Sequence, residues 1–291
     1  MTAPKKHRLA LIGANGMLAS AVKKLSPDKY EIIPFDLPEL NLTDHDLVLK
    51  SLRKANPKVI VNCAAYTNVD GCESEEERAN QVNGKGPGYV AQAAKEIRAT
   101  LVHISTDFVF DGEKTEPYVE DDPINPRSAY GRTKALGEQA VLESGLKEYF
   151  IVRTSWLYGP DGKNFVETII RLAKEGDKLR IVSDQVGTPT YTEDLSQAIF
   201  RLLSFNHTHY GIYHYSNEGH CSWYGFAKEI IGQVKKQGEP LKVKEVVPIR
   251  TDEYFLPARR PAYSVLSKEK IKSATGLKIA GWKAALKRYL T

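Results

Sequence analysis

Short apolar runs alternate with amphipathic stretches through the first half of the chain. Five runs are predominantly apolar: RLALIG, EIIPFD, KVIVNCAAY, TLVHIS and YFIVRTSWLYG. Strands of a parallel sheet that is covered on both faces have this near-continuous hydrophobic pattern. The stretches between them repeat apolar residues at helical spacing. The alternation predicts an α/β fold with a doubly wound parallel sheet, whose ligands bind at the carboxyl ends of the strands.

The pattern loosens beyond Trp156. A helical stretch, NFVETIIRLAKEG, is followed by shorter runs that are separated by turns rich in Gly, Pro and Asn. We therefore predict an NAD(P)-binding domain at 1–155 and a smaller α+β substrate-binding domain at 156–291. Within the second part, we expect 179–205, which includes the amphipathic segment LSQAIFRLL, to pack back onto the first domain.

A glycine turn joins the first predicted strand to the first helix, in RLALIGANGMLASAVKKL. Gly13 permits the tight turn, and Gly16 lets a ligand approach the backbone closely. The N–H groups and the positive dipole end at the start of the helix favour a bound phosphate. In this strand–turn–helix context the glycines predict a Rossmann-like dinucleotide site.

The second strand ends at Asp36, where a carboxylate can accept hydrogen bonds from a ribose hydroxyl. No Arg or Lys follows it in Leu37-Pro38-Glu39. A 2′-phosphate would meet repulsion there, which favours NADH without excluding NADPH. An ordinary acidic residue at a strand end is the alternative interpretation.

The richest stretch for chemistry runs from Leu101 to Lys134. It places Thr106 at a strand end and begins the next helix with Tyr130-x-x-x-Lys134. Residues four apart on a helix share one face, so the phenol and the ammonium lie about one turn apart. A nearby ammonium favours the phenolate and is expected to lower the pKa of the tyrosine. The trio predicts proton transfer to or from a substrate oxygen that Thr106 holds.

A second Tyr-x-x-x-Lys, Tyr224 to Lys228, serves as an internal control. It lies in SWYGFAKEII, where Trp223, Phe226 and Ile230 form a helical apolar stripe. No Ser or Thr at a strand end precedes it. We interpret this second pair as structural.

Composition excludes several other classes of protein. Apolar residues make up 42% of the chain, mean hydropathy is −0.39, and no run reaches the roughly 20 apolar residues of a membrane span. The net charge of +5 is scattered among 36 acidic residues. We therefore expect neither a membrane nor a nucleic-acid partner. The basic N-terminus runs directly into the first strand, so we do not interpret it as a signal peptide.

The three cysteines, Cys63, Cys72 and Cys221, do not have the spacing of metal ligands. Free thiols are typical of a reducing compartment, so we expect a cytoplasmic protein. We expect neither a bound metal nor a disulfide scaffold.

Together these motifs resemble the extended short-chain dehydrogenase/reductase superfamily, and within it the dTDP-4-dehydrorhamnose reductase family. The blocks GANGMLA, VNCAAYTNVD, ISTDFVFDG, YGRTKALGE, RTSWLYG, SDQVGTPT and RRPAYSVL follow that family's order nearly end to end. The resemblance implies hydride transfer from NADPH or NADH to the 4-keto carbon of dTDP-4-dehydro-β-L-rhamnose. This reaction completes dTDP-L-rhamnose synthesis for cell-surface polysaccharides, including lipopolysaccharide.

The resemblance also implies roles for particular residues. Tyr130 would donate the proton, and Lys134 would hold the nicotinamide ribose and tune Tyr130. Thr106, Asp107 and Trp156 would contact the sugar. The residues implied to line the dinucleotide are Gly13, Asn15, Gly16, Met17, Asp36, Asn41, Leu42, Ala64, Ala65, Tyr66 and Lys134.

Two positions depart from the family pattern. Phe108 replaces the usual Tyr after Thr-Asp, which removes a substrate hydroxyl contact. Related dehydratases need an acid at that position, so Phe108 favours simple reduction. Some members pair through a magnesium ion held by glutamates; here Glu193 is present, but Ala21 stands at the matching position of the first helix. We therefore doubt a magnesium-bridged dimer and leave open a monomer or a homodimer.

Several alternatives remain open at the level of sequence. Trp156 is either a platform for the sugar or a core residue. Arg259 and Arg260 either clamp the diphosphate or are basic surface residues. The protein could instead be another nucleotide-sugar epimerase or dehydratase of the superfamily. A non-catalytic subunit like the regulatory subunit of methionine adenosyltransferase is the alternative of a different class.

Overall fold

The computed structural model describes residues 6–204 and 209–291. Residues 1–5 of the basic N-terminal segment and position 205, the end of the predicted 179–205 segment, lie outside this range. The strands are β1 His7–Ile12, β2 Tyr30–Phe35, β3 Val59–Asn62, β4 Thr100–Thr106, β5 Tyr149–Thr154, β6 Leu157–Tyr158, β7 Lys178–Val182, β8 Val186–Gly187, β9 Thr190–Tyr191, β10 Gly211–His214, β11 Cys221–Ser222 and β12 Glu245–Ile249. The α-helices are α1 Met17–Leu25, α2 His45–Ala55, α3 Val69–Ser74, α4 Glu76–Ala79, α5 Gly86–Ile97, α6 Ala129–Glu143, α7 Phe165–Glu175, α8 Thr192–Leu202, α9 Trp223–Lys236, α10 Glu269–Thr275 and α11 Trp282–Leu290.

A six-stranded parallel sheet forms the centre of the fold, in the order β10-β5-β4-β3-β1-β2. The chain runs from β1 outward to β2 and then returns to β3 on the other side of β1. This reversal creates a crevice between the carboxyl ends of β1 and β3, where ligands of open α/β sheets bind. The predicted doubly wound, Rossmann-like fold is confirmed. The sixth strand, β10, comes from the stretch assigned by sequence to the C-terminal part.

Helices cover the sheet on both faces. On one face α1 and α8 pack against Leu9 and Leu11. On the other, α2 and α5 pack against Ala10 and Ile12. Neighbouring residues of a strand point to opposite faces, so both sets of β1 side chains are buried. This double burial explains the continuous apolar runs in the sequence.

Helix α8 packs on α1 beside the sheet, with Leu195, Ala198 and Ile199 in the core. A separate apolar cluster joins α7, α9 and α11 around Phe226 and Trp282. The division into domains at 155 and 156 stays a prediction. Within residues 6–204 and 209–291, no helix combines the length and apolar character needed to cross a membrane.

Side-chain caps begin the helices next to the crevice. The Asp44 carboxylate accepts from Leu47 N at 2.9 Å, and the Ser128 hydroxyl accepts from Gly131 N at 3.2 Å. Each cap satisfies an N–H group that the first turn of the helix leaves free. The Ser128 cap fixes the start of α6 and therefore the position of Tyr130.

Candidate active site

A cavity of about 860 Å³ opens at the carboxyl ends of the central strands. Its volume is within the range of small-molecule and cofactor sites. The predicted residues that line it are Gly13, Asn15, Gly16, Met17, Asp36, Asn41, Leu42, Ala64, Ala65, Thr106, Asp107, Tyr130, Lys134 and Trp156. The fold thus brings together residues that are distant in sequence.

Tyr66 is the one predicted residue that does not line this cavity. Its hydroxyl donates to Glu75 Oε1 at 3.1 Å, and the Arg78 guanidinium lies 5.1 Å from its ring centre. Its backbone is held by the Asn83 side chain, which accepts from Tyr66 N at 2.8 Å and donates to Tyr66 O at 3.0 Å. Asn83 lies in a π-helical segment, Asn80–Lys85.

The glycine turn fits a dinucleotide because no side chains cover its backbone at Gly13 and Gly16. Gly13 has φ +76°, and a Cβ there would lie 2.7 Å from Ala64 N, across the β1–β3 crevice. Gly16 caps α1 without a side-chain hydrogen bond, so the first N–H groups of that helix face the cavity unblocked. These features provide the backbone donors and the close approach that a pyrophosphate requires.

The Asp36 side chain braces the same turn. Its two carboxylate oxygens accept from Asn15 N at 2.8 Å and from Leu37 N at 2.9 Å. Asp36 and Leu37 both line the cavity, and Leu37 is 65% exposed. A bound adenosine ribose would therefore meet a carboxylate and an apolar side chain.

We expect Leu37→Arg to improve the use of NADPH selectively. A guanidinium at this exposed position would form charge-assisted bonds with a 2′-phosphate and offset repulsion from Asp36. The expected gain in kcat/KM for NADPH is about tenfold, with the value for NADH changed by less than about twofold. The measurement is initial rates with both cofactors, with Leu37→Met as the control. Equal gains for the two cofactors would contradict this interpretation.

Tyr130 and Thr106 face each other in the cavity. Burial raises the pKa of the Tyr130 phenol well above its ordinary value, and hydrogen bonding with Thr106 opposes only part of the rise. The expectation that Lys134 lowers this pKa is therefore wrong for the protein without ligands. Desolvation dominates, and the Lys134 ammonium is bound elsewhere. The phenol stays protonated near neutral pH, which is the form that can donate a proton.

Lys134 is buried, and its ammonium donates to the Ile104 carbonyl of β4 at 2.7 Å. Desolvation lowers its pKa to about 8, although the nearby Glu138 carboxylate acts in the opposite direction. Burial lowers the pKa of His103 well below its ordinary value, and the Lys134 ammonium adds to this effect, so His103 stays neutral. Lys134 is therefore anchored to the strand that carries Thr106.

We expect kcat/KM for the cofactor to fall as pH rises above about 8. Lys134 is charged below that pKa and neutral above it. The charged ammonium has three N–H donors and no acceptor, and it is this form that would bind the ribose hydroxyls of the cofactor. The decline should approach tenfold per pH unit. Rates between pH 6 and 10 provide the measurement, and Lys134→Met should lack this decline. A profile that stays flat up to pH 10 would exclude the role.

A buried ionic network lies next to Lys134 and the end of β4. Arg153 donates to both oxygens of Glu138, the shortest contact being 2.7 Å, and its Nη1 donates to Glu120 O at 3.2 Å. Glu138 also accepts from the Ser105 hydroxyl, and lies one helical turn after Lys134. Our interpretation of the sequence missed this network. The i, i+4 spacing of Lys134 and Glu138 was the available signal.

Asp107 is buried beside Thr106, whose hydroxyl donates to its Oδ1 at 3.0 Å. Among the described residues, its other oxygen, Oδ2, has no partner with hydrogen-bond geometry, although the Ser264 hydroxyl is close enough to oppose part of the rise in the pKa of the carboxyl. Desolvation raises the pKa of this carboxyl to about 6. A buried polar atom without a partner is costly, so Asp107 Oδ2 is suited to accept a hydrogen bond from a bound molecule.

A second cavity of about 730 Å³ adjoins the first at Phe108 and Trp156, which line both. Phe108 packs edge to face against Tyr130, with ring centres 5.4 Å apart. The larger apolar residues of its wall include Phe165, Ile169, Leu172, Ile181, Val182 and Trp223. The two cavities together can hold a dinucleotide and a second extended ligand that meet at Phe108.

Trp156 is packed on both faces. It has φ +46°, and its ring stacks on Trp223 with centres 3.5 Å apart and planes 8° apart. Gly187 lies against one face of the ring. A Cβ built on Gly187 would be 2.6 Å from Cε2 of Trp156 and farther from Cζ2 and Nε1, which places it above the plane of the ring and not at its edge. The stacked Trp223 occupies the other face, so the ring edge is left for a sugar. Sequence reasoning had placed Trp223 only in the core.

The two arginines of the PARRPAY segment line the second cavity but differ in their contacts. Arg260 donates to both oxygens of Asp70, at 2.9 and 2.7 Å. This contact lowers the pKa of Asp70. Arg259 is exposed and makes no ion pair within the described parts of the chain. Arg259 is thus the better placed of the two for a diphosphate.

The residues near Glu193 do not fit a bridging magnesium ion. Glu193 Oε1 accepts from Lys24 Nζ of helix α1 at 2.5 Å, so that helix offers a cation where a second carboxylate would be needed. Among the residues that the structure describes, no group of three or more His, Cys, Asp or Glu side chains could hold a metal. Whether the protein is a monomer or a homodimer stays a prediction.

Comparisons with known proteins agree with this geometry. Residues 7–291 match the family described as "RmlD substrate binding domain". The spore coat polysaccharide biosynthesis protein SpsK of Bacillus subtilis is 42% identical, covering 97% of this chain and 96% of its own. The dTDP-4-dehydrorhamnose reductase of Aggregatibacter actinomycetemcomitans is 41% identical, covering 96% and 97%.

A crystal structure of dTDP-4-dehydrorhamnose reductase from Bacillus anthracis in complex with NADP has a TM-score of 0.92 and 41% identity, covering 98% of this chain and 99% of its own. The similarity extends over both cavities and nearly the whole length of each protein. The chain therefore belongs to the RmlD substrate-binding domain family.

Proposed function

We propose that this protein reduces the 4-keto group of dTDP-4-dehydro-β-L-rhamnose to give dTDP-L-rhamnose, with NADPH or NADH as the reductant. The observation that carries the proposal is the convergence of Tyr130, Thr106 and Lys134 on the cavity that also contains the glycine turn. Membership of the reductase family supports the same activity. The product would enter the synthesis of cell-surface polysaccharides.

Residues around the first cavity would bind and orient the dinucleotide. The N-terminus of α1 and the bare backbone at Gly13 and Gly16 would hold its pyrophosphate. Asp36 would accept from a ribose hydroxyl, and Lys134 would donate to the other ribose. The bound cofactor supplies a hydride to the keto carbon.

The chain's own groups would then manage the proton. Thr106 would donate a hydrogen bond to the substrate oxygen, and Tyr130 would transfer its phenolic proton to that oxygen as negative charge develops. Raised by burial, the pKa of Tyr130 keeps this proton in place until an alkoxide, a much stronger base, is present. Asp107 Oδ2 would accept from a sugar hydroxyl.

Phe108 favours reduction over loss of water. It occupies the position directly after Asp107, at the junction of the two cavities, and offers no group that could remove a proton from the sugar. Its ring instead packs edge to face against the ring of Tyr130. This arrangement supports a single hydride and proton transfer.

The direct test is the loss of NAD(P)H absorbance at 340 nm with dTDP-4-dehydro-β-L-rhamnose as substrate. We expect one cofactor oxidised for each dTDP-L-rhamnose formed. An epimerase or dehydratase that retains its cofactor would convert sugar without a stoichiometric loss of absorbance. A regulatory subunit would bind the nucleotide but would convert neither the sugar nor the cofactor.

We further propose a cytoplasmic location. Cys63, Cys72 and Cys221 are all free thiols in the structure, which suits a reducing compartment.

A further inference from the structure

One loop at the second cavity exposes an unusual amount of apolar surface. Tyr254, Phe255 and Leu256 are 53%, 91% and 38% exposed. The other large apolar side chains that are exposed in the described part of the chain are scattered: Leu37, Val119, Ile124, Leu136 and Leu142. Three consecutive exposed side chains at the mouth of a cavity indicate an interaction site.

Firm anchors hold this loop at both ends. Before it, Thr251 donates through its N–H and hydroxyl to Asp184, at 3.0 and 2.7 Å, and Glu253 pairs with Arg180. After it, Ala258 N donates to Asp70 at 3.1 Å, next to the Asp70 contacts of Arg260. Between the anchors, the structure shows no backbone hydrogen bond for 255–257 within the described residues. The middle of the loop therefore has fewer backbone restraints than its ends.

The cavity has apolar residues outside the loop as well. Ile169 and Leu172 of α7 and Ile181 and Val182 of β7 line the same cavity as the loop. A planar, weakly polar ring between these side chains and Phe255 would bury apolar surface on both of its faces. A nucleobase has that shape and character.

The residues that line the cavity suit the three parts of a nucleoside diphosphate sugar. The sugar must reach Tyr130, so it lies at the junction marked by Phe108 and Trp156. Arg259 lines the same cavity without an ion pair in the described parts of the chain, and can bind phosphates. The base would then occupy the apolar part of the cavity that the loop borders.

We propose that 254–256 is a flap that closes over the pyrimidine base of the bound nucleotide sugar, with Phe255 packing on the ring. This inference rests on the proposed function and extends it to the part of the site that recognises the base. Closure would bury Phe255 and exclude water from the cavity that contains the diphosphate.

The test compares Phe255→Ser with the wild type by calorimetric titration of dTDP and of inorganic pyrophosphate. Loss of a buried phenyl group is expected to raise Kd for dTDP about 10- to 100-fold. Pyrophosphate affinity should stay unchanged, whereas Arg259→Ala should weaken both ligands. The matched control is Leu142→Ser, which removes an exposed apolar side chain from helix α6 and should change neither.

Two further readouts make the outcome decisive. In Phe255→Trp, dTDP binding should shift the tryptophan emission to shorter wavelength as the side chain becomes buried. KM for the sugar nucleotide should rise in Phe255→Ser with kcat changed by less than about threefold. Unchanged dTDP affinity in Phe255→Ser would overturn the flap while leaving the reductase activity intact.

Failure of wild-type protein to bind dTDP would instead overturn the proposed function itself. The other possible occupant of this surface is a second copy of the chain. If Phe255→Ser converts a dimer into a monomer in sedimentation velocity and leaves dTDP affinity unchanged, the loop is a subunit interface and the proposal is wrong.

Discussion

Tyr130→Phe is expected to lower kcat by about 10²- to 10⁴-fold, the usual contribution of a positioned general acid. The substitution removes one hydroxyl from a partly buried ring that already packs against Phe108, so the ring itself should keep its place. Proton donation is needed only as the transition state forms. Binding of NAD(P)H and of dTDP should therefore remain within about threefold of the wild type.

Tyr224→Phe is the matched control for this experiment. Tyr224 also begins a Tyr-x-x-x-Lys pair, and the Lys228 ammonium lies 5.4 Å from its ring centre. Neither Tyr224 nor Lys228 lines either cavity described above. We expect unchanged kcat in this variant. A loss of less than tenfold in Tyr130→Phe, measured by cofactor absorbance, would remove Tyr130 from the proposed role.

Arg153→Met is expected to lower the free energy of unfolding by about 3–5 kcal/mol. Arg153 and Glu138 side chains are only 3% and 2% exposed, and the substitution would leave the Glu138 carboxylate buried without its cation. The Glu120 carbonyl would lose a hydrogen-bond donor as well. Urea unfolding followed by circular dichroism gives the measurement.

Two comparisons isolate the cause. The double variant Arg153→Met/Glu138→Gln removes both charges and should recover more than half of the loss. Arg171→Met removes an exposed partner of Glu175 on α7, a pair at 2.8 Å, and should cost no more than about 0.5 kcal/mol. If Arg153→Met costs no more than Arg171→Met, the buried network is not what stabilises this end of the sheet.

The order of strands and helices followed from the sequence because burial on both faces imposes a continuous apolar pattern. The Gly13 turn and the Tyr130–Lys134 pair were equally local, since each depends on residues within one turn or helix. The sixth strand of the sheet was harder to place. The pattern of GIYH predicts a strand but carries no information about which sheet it joins.

The protonation of the site could not be predicted from spacing alone. One helical turn between Tyr130 and Lys134 indicates that the two side chains share a face. It does not show that the Lys134 ammonium binds the Ile104 carbonyl, nor that desolvation outweighs the effect of charge on the phenol. Both depend on what the fold packs around the pair.

By itself, then, the sequence determined the α/β fold, the glycine turn and the candidate proton donor, because these are written in patterns that span a few residues. Only the tertiary structure decided that Trp223 stacks on Trp156, that Arg260 pairs with Asp70, and that Arg153 neutralises Glu138. Each of these contacts joins residues far apart along the chain. Their energies come from shared burial, which no local pattern records.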